Sequence, residues 1–318
     1  MSIVRVEHVS HFFGKLQVLN DVSFSVGANE VLGFIGPNGA GKTTTLRMLA
    51  TLLDPHYGRI LIDGVDVLED PAYVRRNIGF MPDGFGVYER TTVYEYLEFF
   101  AAAYGLPRDS RARTMDAVME LTDLGKLRDR MVSSMSKGMK QRLCIARTLL
   151  NDPKVLIFDE PANGLDPRAR IEMRDLIEQL RGMGKTIILS SHILTELSDM
   201  VTSVVVLEAG RVRAAGPIGS VASLDRQAHP QRVLRLRLLR AAGALDPEHL
   251  ETLKQVEGVL SVDRSPDGDL RVAYRGEDHV VADLVDAAVG AGLRVVRVEP
   301  ERDDLEQLFL EVTRGDLQ

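Results

Sequence analysis

Residues 36–43, Gly-Pro-Asn-Gly-Ala-Gly-Lys-Thr, follow the spacing G-x-x-x-x-G-K-[ST], which suits a polyphosphate. Gly36, Gly39 and Gly41 let the backbone turn tightly, so that successive N–H groups face one anion. Pro37, Asn38, Ala40 and Thr44 complete the cradle. Lys42 has the reach for β- and γ-phosphates, and Thr43 offers a hydroxyl to Mg²⁺. A second stretch supplies the other half of a metal site. The apolar run Lys154–Phe158 ends in Asp159 and Glu160. An apolar run of this length reads as a buried parallel strand, beyond whose carboxyl end ligands bind. Asp159 is therefore expected on the metal beside Thr43. Glu160 is expected to orient or deprotonate an attacking water.

The elements that must hold these residues are legible around them. Glu30–Ile35 reads as a short buried strand entering the glycine loop, and Thr44–Leu53 as the helix leaving it, stopped at Asp54-Pro55. That helix brings its positive N-terminal end to the anion. Gly184–Ser191 reads as another buried strand, ending at His192. Val4–Val9 alternates as a half-exposed strand and leads into Phe12-Phe13-Gly14. Shortly before Lys154 lies Met135-Ser136-Lys137-Gly138-Met139-Lys140-Gln141-Arg142, with a helix expected over Lys140–Leu150. Taken alone, Ser136 reads first as an ordinary N-cap; such a helix start can also donate N–H groups to an anion.

Taken together these motifs resemble an ATP-binding-cassette (ABC) ATPase, in which Met135–Met139 stands where the family has Leu-Ser-Gly-Gly-Gln. Ser136 and Gly138 match; Lys137 and Met139 depart. The resemblance implies an α/β fold: a P-loop NTPase cassette with a mixed sheet, helices and a helical subdomain. It implies ATP and Mg²⁺, with Ser136 and Gly138 meeting the γ-phosphate held by a second subunit, as a homodimer or with a paired cassette subunit. Asn163–Pro167 resembles the loop that crosses such a dimer. His192 matches the histidine at the γ-phosphate. An aromatic before a glycine stacks on adenine in the family; Phe13 matches, with Phe12 as the alternative. One position departs with chemical consequence. Ile78-Gly79-Phe80-Met81-Pro82 is followed by Asp83 where the family usually has Gln. Asp83 still offers oxygen to a hard cation, but an ionised carboxylate donates no hydrogen bond.

Composition narrows the function class. The 318 residues suffice for two domains. One cysteine, Cys144, excludes an internal disulfide. No apolar run approaches a bilayer span, and the first residues do not read as a signal peptide, so a cytoplasmic chain is expected. A formal net charge of −7 argues against nucleic acid as a partner. Membrane work would come through a multi-span permease subunit, at the cytoplasmic face. The aromatic stretch Tyr94–Tyr104 has helical spacing and belongs to the helical subdomain.

After Gly210-Arg211-Val212 the pattern changes. Ala214 to Arg226 reads as a turn and a short helix, giving a cassette over 1–215, a linker over 216–230 and an accessory domain over 231–318. From Gln231 the expected order is a strand at Arg232–Leu238, a helix at Pro247–Val256, a hairpin of Val259–Val262 and Leu270–Tyr274 turning at Ser265–Gly268, a helix at Asp278–Ala288, a strand at Leu293–Val298 and a last helix at Leu305–Val312. The order β-α-β-β-α-β is ferredoxin-like. This part carries twelve basic against eighteen acidic residues, so it is no polybasic anchor. Pro300–Leu310 resembles the ending of cassette subunits from drug-resistance and gliding-motility type exporters. An exporter's ATPase subunit is the expectation. A soluble cassette ATPase acting on ribosome or DNA, or a slow regulatory ATP-binding module, is the alternative.

Overall fold

The computed structural model describes residues 2–84, 86–193, 197–218, 232–239, 247–265 and 269–300. These fall into two compact units, one ending at Ile218 and one beyond it.

The first unit opens with an antiparallel sheet: β1 (Ser2–Phe13), β2 (Leu16–Gly27), β4 (Tyr57–Ile62) and β5 (Val65–Asp66), in the order β2-β1-β4-β5. Alternation in β1 sends Val4 and Val6 into the core and leaves Arg5 outside. Between β2 and β4 the chain makes β3 (Val31–Ile35), buried at every residue, then α1 (Lys42–Leu49). A six-stranded sheet forms around β3 from β6 (Ile78–Met81), β7 (Val155–Phe158), β8 (Thr186–Ser191), β9 (Ser203–Glu208) and β10 (Arg211–Pro217). Its order is β10-β9-β3-β8-β7-β6; all neighbours are parallel except the β9–β10 pair. The buried apolar runs anticipated for β3, β7 and β8 are what a parallel sheet covered on both faces demands. Because β3, β7 and β8 are parallel, their carboxyl ends share one edge, and the chemistry-bearing residues follow directly from it.

α2 (Pro71–Asn77) leads into β6. The helical part that follows holds α3 (Val93–Ala103), α4 (Arg108–Leu121) and α5 (Lys137–Leu149). α3 begins with a capping box: Thr92 accepts from the Glu95 N–H and the Glu95 carboxylate from the Thr92 N–H. Tyr96 and Leu97 face inward while Phe99 stays half exposed. α6 (Pro167–Gly182) starts at the N-cap Asp166.

Three expectations need correction. The glycine-loop helix spans Lys42–Leu49, not Thr44–Leu53, because Gly41 caps it in a left-handed conformation and Thr51, at φ +57°, ends it. The helix after Ser136 starts at Lys137, not Lys140, so Gly138 lies inside it. Ala214–Pro217 belongs to a strand rather than a turn. Ala209 and Gly210, at φ +45° and +74°, turn the chain back so that Arg211–Pro217 pairs with β9. The strand crosses the boundary expected at residue 215, and ladder pairing overrides the weak strand propensity of Ala and Gly. The helix expected up to Arg226 lies outside the described residues from 219 onward.

The second unit contains β11 (Arg232–Leu238), α7 (Pro247–Lys254), β12 (Val259–Arg264), β13 (Leu270–Tyr274), α8 (Asp278–Gly290) and β14 (Val295–Pro300). The sheet order is β12-β13-β11-β14, and every pair is antiparallel. Leu234, Leu236, Leu253, Val272 and Leu284 form its core. The hairpin tip Pro266–Gly268, the residues 301–318 with the last expected helix, and Gln231 lie outside the described residues.

Candidate active site

The edge shared by β3, β7 and β8 borders a cleft of about 590 Å³, lined among others by Asn38, Lys42, Thr43, Asp83, Glu160 and His192. The glycine loop runs from β3 to α1 as one wall. Gly36 is packed so closely that an added Cβ would lie 2.2 Å from the Leu207 carbonyl oxygen. Gly39, at φ +83°, faces open space. The loop is thus clamped at one end and open at its crest, where N–H groups stay available to a ligand.

Lys42 is buried, its ammonium donating to the carbonyls of Gly36 at 2.6 Å and Pro37 at 3.3 Å. It also lies 3.6 Å from Glu160 Oε1. Burial pushes its pKa down, and the charges of Glu160 and Asp159 hold it up.

On the opposite wall, the parallel register pairs Phe158 with Leu189, so the next residues, Asp159 and Ser190, meet. Ser190 Oγ donates to Asp159 at 2.6 Å and accepts from the Glu160 N–H at 2.9 Å. Asp159 is nearly inaccessible. Its pKa is raised first by burial; hydrogen bonds from Ser190 and Thr43 oppose this, and the Glu160 and Asp83 carboxylates add to it. Glu160 occupies the left-handed region at φ +52°, an outlier that turns its carboxylate between Lys42 and His192. His192 Nδ1 lies 2.8 Å from Glu160 Oε2.

Two carboxylates, Glu160 and Asp159, therefore act on one buried lysine, and Asp83 acts on Asp159 in turn. The Thr43 hydroxyl with the Asp159 and Asp83 carboxylates is a hard oxygen set that fits a divalent ion such as Mg²⁺.

Gly39, Lys42, Thr43, Asp83, Glu160 and His192 line one cleft. Pro37, Asn38, Gly41 and Thr44 also line the cleft; Gly36, Ala40 and Asp159 stand behind its surface. Phe13 is not among the lining residues. It is half exposed, with its ring edge-on to His11 at 4.8 Å, and Leu16 and Val18 from β2 line the cleft instead. Ser136 and Gly138 sit outside the cleft, at the start of α5, where Ser136 Oγ accepts from the Met139 N–H at 3.3 Å. Ser190 is a site neighbour that was not assigned from sequence, and Asn163, expected in a dimer-crossing loop, lines the cleft. Ser190 carried a signal, since matching the ends of the two apolar runs sets it beside Asp159.

A family model for ABC transporter matches residues 19–163. ABC transporter ATP-binding protein NatA of Bacillus subtilis is 37% identical over 226 residues, covering 71% of this chain and 92% of that protein. This chain belongs to the ABC transporter ATP-binding proteins. As a member of that ATPase family it hydrolyses ATP to drive transport. Daunorubicin resistance ATP-binding protein DrrA3 of Streptomyces coeruleorubidus is 34% identical over 315 residues, 98% of this chain and 96% of that one. Among solved structures, an ATP binding subunit of an ABC transporter superposes with a TM-score of 0.64 at 32% identity, over 70% of this chain and 93% of its own. The ADP conformation of MJ1267, an ATP-binding cassette of an ABC transporter, gives 0.62 at 25% identity, over 68% and 91%.

Proposed function

We propose that this cassette is the ATP-hydrolysing subunit of an exporter, working as a pair at the cytoplasmic face of the membrane on a separate multi-span permease. The carrying observation is the full-length likeness. DrrA3, linearmycin resistance protein LnrL of Bacillus subtilis and a Nod factor export protein of Rhizobium etli each match 98% or more of this chain. NatA matches 71% of it. Among the described residues no helix is long and apolar enough to cross a membrane, which agrees with a partner supplying the span.

In this reading the loop 36–44 and α1 bind the triphosphate, and Lys42 leaves Glu160 and the loop carbonyls for the β- and γ-phosphates. Thr43, Asp159 and Asp83 would hold Mg²⁺, which would supply charge neutralisation to the triphosphate. Hydrogen bonds from Ser190 and Thr43 hold the Asp159 carboxylate in place and oppose the rise in pKa that burial causes. Glu160, with Lys42 withdrawn, orients water and takes its proton; His192 holds the other carboxylate oxygen. Ser136 and Gly138 meet the γ-phosphate of a second copy, so loss of that phosphate loosens the pair. Phe13, exposed on the hairpin of β1 and β2, meets adenine. The unit beyond Ile218 has the element and strand order of a ferredoxin-like domain and serves as an accessory to the cassette, joined through a linker.

Glu160→Gln with ATP and Mg²⁺ should run as a stable dimer in light scattering, and wild type only transiently. A variant that stays monomeric at saturating ATP would remove the paired arrangement. An adjacent reading frame should encode a multi-span membrane protein whose co-expression carries the cassette into the membrane fraction, and a cassette left wholly free would remove that permease partner.

A further inference from the structure

The loop after β6 lines the cleft with Asp83 and continues to Tyr88 and Glu89 before α3 begins. Two features anchor its far end. Tyr88 lies against α3, stacked with Phe100 at 6.2 Å and edge-on to Phe99 at 5.4 Å. Glu89 reaches across to α5, where its carboxylate accepts from Lys140 Nζ at 2.9 Å, and its carbonyl accepts from the Ser133 N–H at 3.1 Å. Neighbouring bonds continue the seam: the Val132 N–H donates to the Thr91 carbonyl, and the Val93 N–H to that of Arg130.

Lys140 is the residue whose N–H closes the first turn of α5 on the Ser136 carbonyl, at 2.9 Å. The first turn of α5 holds no acid, and Ser136, Lys137, Leu143 and Cys144, one turn away on either side, offer none. Lys140 therefore finds its carboxylate on another element. Glu89 is 62% exposed and Lys140 19%, so the pair adds little to folding. It does join two segments: the loop that brings Asp83 to the cleft, and the helix turn that carries Ser136.

We propose that Glu89 and Lys140 are a positioning pair that ties the loop after β6 to the first turn of α5. A displacement of the Tyr88 end of the loop then moves Ser136, and a displacement of Ser136 moves the loop. The consequence for hydrolysis rests on the role proposed above for Ser136; the tie itself does not.

Amide hydrogen exchange and steady-state ATPase on the full chain test it, using Glu89→Gln, Glu89→Lys, Lys140→Glu and the double reversal Glu89→Lys/Lys140→Glu. Glu89→Gln should shift Tm by no more than about 3 °C. Exchange at the Met139 and Lys140 amides should rise about five-fold, with the amides of β7 unchanged. The kcat should fall about five-fold at constant KM. Each single reversal should be worse, and the double reversal should recover most of both readouts. Unchanged exchange in Glu89→Gln, or a double reversal no better than the singles, overturns the tie. If exchange rises and recovers while kcat never moves, the tie stands and the role of Ser136 falls.

Discussion

Asp83 enters a site already short of positive charge. Burial and the Glu160 and Asp83 carboxylates raise the Asp159 pKa, and among the described residues lining the cleft Lys42 is the only lysine or arginine. A divalent ion relieves that crowding directly. Hydrolysis should therefore depend steeply on Mg²⁺ or Mn²⁺. Asp83→Gln should flatten that dependence and keep or raise turnover, and Asp83→Ala should be the slower of the two. A metal titration of the three proteins checks this; identical titrations would place Asp83 outside the metal's reach. The two loop glycines give a second contrast. Gly36→Ala drives a methyl into backbone and should cost about 3 kcal/mol in urea unfolding. Gly39→Ala meets nothing within 4 Å, so it should cost only about 1–2 kcal/mol of left-handed strain and act mainly on ATP affinity. Much of this site was legible in sequence because its chemistry is written in contiguous spacing: Gly36–Thr44, Asp159-Glu160, His192. Leu16 and Val18 were not, because their place depends on the hairpin register that pairs Phe13 with Leu16. No local pattern announces that register, nor the Glu160 backbone at φ +52°.

At the scale of elements, the parallel strands were readable because burial on both faces leaves unbroken apolar runs. β10 was not, since its small residues gain strand geometry only from β9. Connections between sheets were also hidden. Asp63, in the turn between β4 and β5, accepts from the Tyr73 hydroxyl of α2 at 2.8 Å and from Lys154, just before β7, at 2.5 Å. The Lys154 and Tyr73 hydrogen bonds hold the Asp63 carboxyl below its ordinary value. A carboxylate depressed in the folded state contributes stability above its unfolded pKa and loses it as pH falls through the folded one. Asp63→Asn should therefore lower the urea midpoint at neutral pH, and the gap to wild type should close in acid. A gap constant with pH would mean that the charge of Asp63 is idle. On α5, burial lifts the Cys144 thiol to about 11. The native chain should then resist thiol reagents at pH 8, and rapid labelling without unfolding would contradict that burial.

At the scale of the molecule, the two units divide the work. The cleft lies wholly in the unit ending at Ile218, so a chain ending at Arg226 should bind ATP with unchanged affinity and alter only dimer lifetime or partner coupling. Lost binding in a truncated chain that still folds would contradict the division. The likeness to DrrA3 runs over 98% of this chain and so takes in the second unit, although that unit's own residues carry no chemistry that the sequence reveals.

In the proposed pair, each ATP is hydrolysed between Lys42 and Glu160 of one copy and Ser136 of the other. Mixing a Lys42→Ala chain with a Ser136→Arg chain tests it most directly, since each homodimer is dead and the mixed dimer holds one intact site and one doubly damaged site. ATPase activity should return on mixing, towards half of wild type per mixed dimer. Activity that stays at the homodimer background, with the mixed dimer demonstrated, would contradict the shared site.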